Sequence, residues 1–313
     1  ALSSLTKLEL WDNNIEDLSH LSTMINIKEL KLGNNKINDL SPLANLENLS
    51  DLNLYDNNIS DVSSLSSLTN LTDLVLTKNK IENISDLSVL TNLTGLSLGY
   101  NNITNISSLT NMSNLKELSI QNNRIKDITS LSKLINLELL VLENNEIEDI
   151  SSLGNLTNLK TLSIEHNIIS DVSGLAPLVN LTYLDISDNK VMDVSRLAVL
   201  KNLKELRLAD NNAIYNMRGF ATADNSRTID DKYLCKYKSD ENKEVDPTTP
   251  SSDFITHKNG TVTHKTTGLM WMRCSLGQIW NGNICTGESE TYHWKVANRI
   301  RNKFSFAGFN DWR

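Results

Sequence analysis

Residues 71–90 read LTDLVLTKNKIENISDLSVL, and the spacing of their apolar side chains decides the fold. The Leu-x-Leu at 74–76 alternates as a β-strand does, with successive side chains on opposite faces. Asn79 then turns the chain, and later apolar residues fill a return segment. The full pattern is LxxLxLxxNxIxxIxxLxxL, carried by Leu71, Leu74, Leu76, Asn79, Ile81, Ile84, Leu87 and Leu90. One such coil cannot bury these residues alone, so it needs neighbours above and below it.

The same pattern recurs every 22 residues through ten copies, with no insertion or deletion. The central leucines are Leu8, Leu30, Leu52, Leu74, Leu96, Leu118, Leu140, Leu162, Leu184 and Leu206. The asparagines are Asn13, Asn35, Asn57, Asn79, Asn101, Asn123, Asn145, Asn167, Asn189 and Asn211. This periodicity predicts a solenoid of ten coils over residues 1–212.

Two polar columns accompany the repeat. A buried turn must pair its backbone groups, and an asparagine amide both donates and accepts, so the asparagines are predicted to form a structural ladder. The alternative is an asparagine-lined ligand site. The second column, Asp or Asn from Asp17 to Asp193, mostly precedes a serine by two residues. It is predicted to cap short helical turns, in preference to acid catalysis or calcium binding.

The strand residues that flank the buried leucines must point to the other, concave side of the sheet, and they vary from coil to coil. The buried leucines are constant while the concave residues vary, and this contrast predicts that the concave face is specialised for binding a protein partner. Aromatic and apolar side chains often anchor partners, although single exposed apolar residues are also common on inert surfaces. The acidic members favour a basic partner. The candidate partner-binding residues are Trp11, Tyr55, Val75, Tyr100, Glu117, Leu139, Val141, Glu143, Glu165 and Tyr183.

Composition and motif content argue against several classes of function. A formal net charge of -8 argues against a nucleic-acid partner, which requires a basic surface. No run of eighteen apolar residues occurs, so no membrane span is expected in this chain. The histidines are scattered, and neither a phosphate-binding loop nor a nucleophile motif is present, so we expect no catalytic residues, cofactor or metal. The start carries neither a signal peptide nor an initiator Met, which indicates a mature product or a fragment.

Residues 1 to about 212 resemble the internalin family of leucine-rich-repeat proteins. The resemblance is carried by NKIENISDLSVLTNLTGLSL at 79–98 and NEIEDISSLGNLTNLKTLSI at 145–164. It implies an α/β-type solenoid that is right-handed and curved, with a concave parallel β-sheet, short 3₁₀ turns on the convex side and protein binding on the concave face. Two family features are missing: a helical cap before the first repeat and an immunoglobulin-like domain after the last.

The composition changes after the repeats. Residues 213–252 are polar and charged, which predicts a solenoid end cap followed by a linker. Residues 253–313 resemble part of the C-terminal domain family of the Legionella collagen-like adhesin. The matching motifs are NGTVT at 259–263, TGLMW at 267–271 and AGFNDWR at 307–313. The resemblance implies a small, truncated α+β module, with glycan binding or surface attachment suggested as its role.

Within that module, the stretch from Asn259 to Trp271 alternates as a hairpin does. Cys274 and Cys285 are predicted to form a disulfide rather than a zinc site, because no CxxC pair occurs and His293 alone supplies too few ligands. A disulfide indicates an oxidising compartment. Cys235 is left without an assigned partner.

Together these patterns predict a non-catalytic binding protein, secreted or displayed on a bacterial cell surface, which recognises a host or bacterial surface protein and serves in adhesion. Two alternatives remain. One is an intracellular regulatory scaffold. The other is a solenoid stalk that carries a polysaccharide-binding C-terminal module.

Overall fold

The computed structural model describes residues 4–211 and, beyond them, short strands at 228–229, 254–256, 261–264, 270–272, 279–280 and 285–286. The chain divides into two compact units, residues 1–238 and 239–313. The division falls inside the predicted end cap and linker. The predicted Cys274–Cys285 disulfide and Cys235 involve positions outside the described residues, so the disulfide stays a prediction.

The described strands of unit one form one parallel sheet, in which they follow one another in sequence order. Equivalent leucines lie opposite one another in register, as Leu74 does with Leu96, so the 22-residue spacing becomes strand pairing. This curved sheet confirms the predicted solenoid. Its strands are β1 Lys7–Glu9, β2 Glu29–Lys31, β3 Asp51–Asn53, β4 Asp73–Val75, β5 Gly95–Ser97, β6 Glu117–Ser119, β7 Leu139–Val141, β8 Thr161–Ser163, β9 Tyr183–Asp185, β10 Glu205–Arg207 and β11 Thr228–Ile229.

The strand β11 was not expected, because the 22-residue period stops after Asn211. It pairs in parallel with β10, and Ile229 lies opposite Leu206. Ile229 therefore takes the register position of a central leucine, 23 residues after Leu206 instead of 22. The sheet thus extends one strand into the predicted end cap.

The return segments contain 3₁₀ helices. These are Ser19–Leu21, Ser41–Leu43, Ser63–Ser67, Ser85–Val89, Ser107–Asn111, Thr129–Lys133, Ser151–Asn155, Ser173–Leu175 and Ser195–Val199. The predicted Asp and Asn column does accept from the first helical N–H, as Asp149 Oδ1 does from Ser151 N at 2.8 Å. The carboxylate lies one residue before the N-cap, which is Ile150 here. This bond lowers the pKa of Asp149.

Aliphatic side chains fill the space between sheet and helices. In a central coil Leu118, Ile120, Ile125 and Leu131 are completely buried. Each such burial is worth roughly 1.5–3 kcal/mol, so the stacked coils supply their own cohesion. Leu8, in the first coil, is only half-buried, because it has a neighbouring coil on one side.

From Asn35 onward, each ladder asparagine joins its own turn to the preceding coil. The Asn101 Nδ2 donates to the carbonyl of Leu76 in the preceding coil, at 3.0 Å, and to that of Leu98 in its own, at 3.0 Å. Its Oδ1 accepts from Ile81 N at 3.0 Å. The side chain thereby satisfies backbone groups that a buried turn leaves unpaired.

A second asparagine column, not recognised in the sequence analysis, lies at the turns before strands β3 to β10. Asn114 Nδ2 donates to Thr91 O in the preceding coil at 2.9 Å. The same bond recurs, at 2.8 to 2.9 Å, for Asn48, Asn70, Asn92, Asn136, Asn158, Asn180 and Asn202. Each coil is therefore tied to its neighbour at both ends of its strand.

The second unit contains an antiparallel sheet of β12 Phe254–Thr256, β13 Thr261–His264 and β14 Met270–Met272. β13 pairs antiparallel with β12 and with β14, and the pairing of β13 with β14 agrees with the hairpin predicted from Asn259 to Trp271. A second pair, β15 Ile279–Trp280 and β16 Cys285–Thr286, is also antiparallel.

Candidate concave binding face

The candidate site is the concave face, formed by positions 7, 9 and 11 of the first coil and their equivalents every 22 residues. In β7 the burial pattern is half-buried, buried, half-buried, with Leu140 inside and Leu139 and Val141 on the concave side. The central leucine is likewise buried in β5, β6 and β8, where the first residue of the strand is half-buried or exposed; Ser163, the last residue of β8, is itself buried. The leucine core dictates the inward residues and leaves the concave ones free to vary.

Aromatic side chains lie at the edge of this face in the first coils. The rings of Trp11 and Tyr55 have centroids 6.2 Å apart. The coil between them carries Gly33, where a Cβ would collide with the Trp11 ring, so the missing side chain makes room for the indole. Lys78 Nζ lies 4.9 Å from the Tyr55 ring centroid. Trp11 is 36% exposed and Tyr55 is half-buried, so this pair is a partly covered aromatic surface.

Ion pairs organise the strands of the first two coils. Lys7 Nζ lies 3.0 Å from a carboxylate oxygen of Glu29 and 3.2 Å from one of Glu9. Lys31 Nζ lies 3.3 Å from Glu9. Hydrogen bonds from the two lysines lower the pKa of Glu9. The charges at this end are paired with one another.

Small side chains occupy the middle of the concave face. Position 9 and its equivalents carry Val75, Ser97, Ser119, Val141 and Ser163 from β4 to β8. At parallel-strand spacing this central trough is about 19 Å long. Beside it, Gln121 leans over Gly99, where a Cβ would lie 2.6 Å from the amide carbon.

Two expectations for this face need correction. Leu139 and Val141 were expected to be exposed on the concave side, but each is half-buried. Tyr100 was assigned to the concave face, but it lies on the turn that leaves the sheet, with φ 56° and 46% of its surface exposed. Tyr100 is thus a rim residue. Glu117 is exposed on β6, and Val75 is half-buried in the trough.

Glu143 and Glu165 meet on adjacent coils. The backbone of Asn144 donates to the carbonyl oxygen of Glu165 at 2.9 Å, which holds the two positions side by side. Ser163 Oγ donates to Glu165 Oε2 at 2.6 Å. A hydrogen bond shared with Glu165, partial burial and the negative charge of Glu165 raise the pKa of Glu143 to about 7. The structure thus brings two predicted site residues together.

Tyr183 belongs to a polar network at the last coils. Its hydroxyl donates to Asp185 Oδ2 at 3.3 Å, and Arg207 lies over its ring at 5.3 Å. Arg207 also lies 3.5 Å from Asp185 and 2.7 Å from Glu205. Burial and the neighbouring Asp185 raise the pKa of Tyr183 to about 12. Sequence reasoning named Tyr183 but missed Asp185 and Arg207, although both were visible as charged residues at adjacent concave positions.

The concave face is acidic. Its three columns, counted through the ten described coils, hold nine carboxylates and three cations. The carboxylates are Glu9, Glu29, Asp51, Asp73, Glu117, Glu143, Glu165, Asp185 and Glu205, and the cations are Lys7, Lys31 and Arg207. Each cation is already paired with concave carboxylates. The surface left for a partner is therefore negative.

Within the part of the chain that the structure describes, no cluster of three His, Cys, Asp or Glu side chains could hold a metal ion. None of the helices found there has the length and apolarity to cross a bilayer. A shallow open groove lies beside the sheet in the last coils, lined by Asn158, Lys160, Asn180, Thr182, Asn202 and Lys204. The second asparagine column supplies half of that lining.

Comparison with known proteins identifies the repeat. A family model for two copies of leucine-rich repeats matches residues 3–45, 47–89, 91–133, 135–177 and 179–217. No curated protein matches the chain.

Solved structures resemble it. Internalin C2 from Listeria monocytogenes is 31% identical over 66% of this chain and 82% of that one, with a TM-score of 0.53. An internalin (inlF) from the same species is 27% identical over 70% and 85%, with a TM-score of 0.51.

The leucine-rich-repeat ectodomain of the membrane receptor kinase GASSHO1/SCHENGEN3 from Arabidopsis thaliana, solved in complex with CASPARIAN STRIP INTEGRITY FACTOR 2, is also similar. It is 29% identical over 63% of this chain and 26% of that one, with a TM-score of 0.57. The repeat match and the likeness to internalin C2 show that this chain belongs to the leucine-rich-repeat family, as an internalin-like member.

Proposed function

We propose that this protein is a non-catalytic recognition module that binds a protein partner on its concave face and acts outside the cell, in adhesion at a bacterial surface. The observation that carries the proposal is the contrast between columns. The buried leucines and both asparagine columns repeat through the coils, while the concave positions vary. The stability of the stack does not dictate which residues lie on the concave side. We therefore attribute the coil-to-coil choice of these residues to recognition of a partner.

The composition of the face supports the same function. Half-buried apolar residues, Leu139 and Val141, lie among charged and hydroxyl side chains. Apolar anchors surrounded by a polar rim are typical of protein interfaces. The likeness to internalins supports a role in secretion or surface display, and the complex of the plant ectodomain supports recognition of a protein ligand by this fold.

Site-specific photocrosslinking tests the proposal. A photoreactive phenylalanine analogue is placed at Ser119 on the concave side or, as a control, at the exposed Glu148 on the return side. Each variant of the full chain is irradiated with host-cell and bacterial surface extracts. We expect a discrete crosslinked product from the Ser119 position alone. Equal crosslinking from both positions, or a product from Glu148 only, overturns the proposal.

A double substitution tests the apolar anchors. Leu139→Glu with Val141→Lys leaves Leu140 in the core untouched, so folding should be retained. Loss of two anchor side chains should weaken binding of the crosslinked partner by about 2 kcal/mol, or roughly 30-fold. Binding of the purified partner, measured by surface plasmon resonance, checks this result, and unchanged affinity contradicts the assignment of the anchors.

A further inference from the structure

The inference concerns the partner's chemistry and rests on the proposed concave-face function. It begins at the Glu143 site, defined as Leu139, Val141, Glu143, Ser163 and Glu165. Leu139, Val141 and Glu143 lie across one coil, and Ser163 and Glu165 lie across the next. Two carboxyl groups and two aliphatic side chains thus lie along one stretch of an open sheet face.

No lysine or arginine among the described residues pairs with either carboxyl group of this site. Lys7 and Lys31 are bound to Glu9, and Arg207 is bound to Glu205 and Asp185. The groups facing Glu143 are Glu165, His166 and Asp185. His166 Nδ1 lies 2.5 Å from Asp188 Oδ2, so His166 is paired with a carboxylate outside the Glu143 site. The site therefore has an excess of negative charge that none of the described lysines and arginines neutralises.

Shape allows a long side chain to enter. Val141 has serines at the equivalent positions of both neighbouring strands, Ser119 and Ser163, so small side chains flank it and leave room beside it for an incoming side chain. Lysine and arginine bury an aliphatic stem on apolar surface while their charged end reaches a polar group. Leu139 and Val141 offer the apolar surface, and the two glutamates lie at its end.

We propose that this site receives a lysine or arginine from a basic segment of the partner protein, with its stem on Leu139 and Val141 and its charged group between Glu143 and Glu165. Charge complementarity selects this occupant: a neutral or acidic segment would leave the carboxyl pair uncompensated, and an acidic one would add repulsion.

Binding of a cation at this site should release a proton from Glu143. With a pKa of about 7, Glu143 is half protonated at neutral pH. A bound cation favours the ionised form and lowers that pKa, so a proton is released on binding. Linkage then predicts that affinity increases about tenfold from pH 6 to pH 8. Replacing Glu143 by Gln removes this dependence.

A twelve-residue random peptide display library, selected against the full chain at pH 8, provides the probe. We expect the recovered peptides to be enriched in Lys and Arg over the unselected library. Glu143→Gln with Glu165→Gln should lose most of their binding. Glu82→Gln with Glu148→Gln, which removes two exposed carboxylates from the return side, should bind as the wild type does. Equal losses in the two double variants would show only a net-charge effect and overturn the proposal.

The strongest recovered peptide is then titrated by calorimetry at pH 6, 7 and 8, in buffers of different ionisation enthalpy. Proton release at pH 7 in the wild type, absent in Glu143→Gln, supports the proposal. Peptides that are not basic but lose binding with Leu139→Glu and Val141→Lys overturn the inference and leave the proposed function standing. If basic peptides bind both concave double variants as tightly as the wild type, the inference is overturned. That result would also count against the concave face as the binding surface. A selection without binders overturns the inference, and photocrosslinking then decides the proposed function separately.

Discussion

The residue before each ladder asparagine has a left-handed backbone. Among the described residues, φ is between 49° and 57° at Asp12, Asn34, Asp56, Lys78, Tyr100, Asn122, Asn144, His166, Asp188 and Asp210. Asparagine and aspartate tolerate this region, because their short polar side chains bond locally, whereas other residues with a Cβ are strained there. Most coils satisfy the rule, and Lys78, Tyr100 and His166 depart from it.

Tyr100→Asn is therefore expected to stabilise the protein. The substitution relieves strain at φ 56° and removes an exposed ring that is not buried in the core. We expect a gain of about 0.5–1 kcal/mol in the free energy of unfolding, measured by urea denaturation. Asn122→Tyr, the reverse exchange at the next coil, should lose a similar amount. A loss in Tyr100→Asn would show that the tyrosine contributes packing that its exposure conceals.

At the scale of the coil, the two asparagine columns differ in what they satisfy. Asn123 bonds to four backbone groups: its amide donates to Leu98, Ile120 and Gln121 carbonyls, and its oxygen accepts from Ile103 N. Asn114 makes one exposed bond, to Thr91 O. Leaving buried groups unpaired costs more than losing a bond that water can replace.

Asn123→Ala should therefore destabilise the protein by about 2–4 kcal/mol and Asn114→Ala by about 0.5–1.5 kcal/mol. Chemical denaturation of both variants in parallel gives the comparison, with the same change of residue type in each. Equal costs would contradict the division between a ladder column that is at least partly buried around Asn123 and a peripheral, exposed column.

The coil was predictable because one register repeats ten times, so the roles of Leu118 and Asn123 are each supported by nine equivalents. The asparagines of the second column also recur every 22 residues, so that column was equally predictable from the sequence. By contrast, the half-burial of Val141 and the meeting of Glu143 with Glu165 depend on side-chain positions across coils, which vary and so give no period. In strand β11, Ile229 follows Leu206 by 23 residues instead of 22, so an exact 22-residue period does not predict this strand.

For the molecule as a whole, stacking makes stability depend on nearest neighbours. Leu118→Ala should cost about 2–5 kcal/mol, because coils on both sides prevent the cavity from closing. Leu8→Ala, at a half-buried position in the first coil, should cost less than about 1.5 kcal/mol. Thermal unfolding of the two variants tests the difference. A larger effect at Leu8 would mean that the first coil, not the centre, limits unfolding.

The asparagine columns and the parallel sheet share one direction: their bonds join each coil to the next along the stack. A pull on the two ends of the solenoid loads these junctions in series. The weakest junction yields first, and the force it requires does not grow with the number of coils. Each coil that peels away releases 22 residues, at most about 75 Å of extended chain. Held between two surfaces, such a stack would lengthen stepwise under tension while its remaining coils kept their shape.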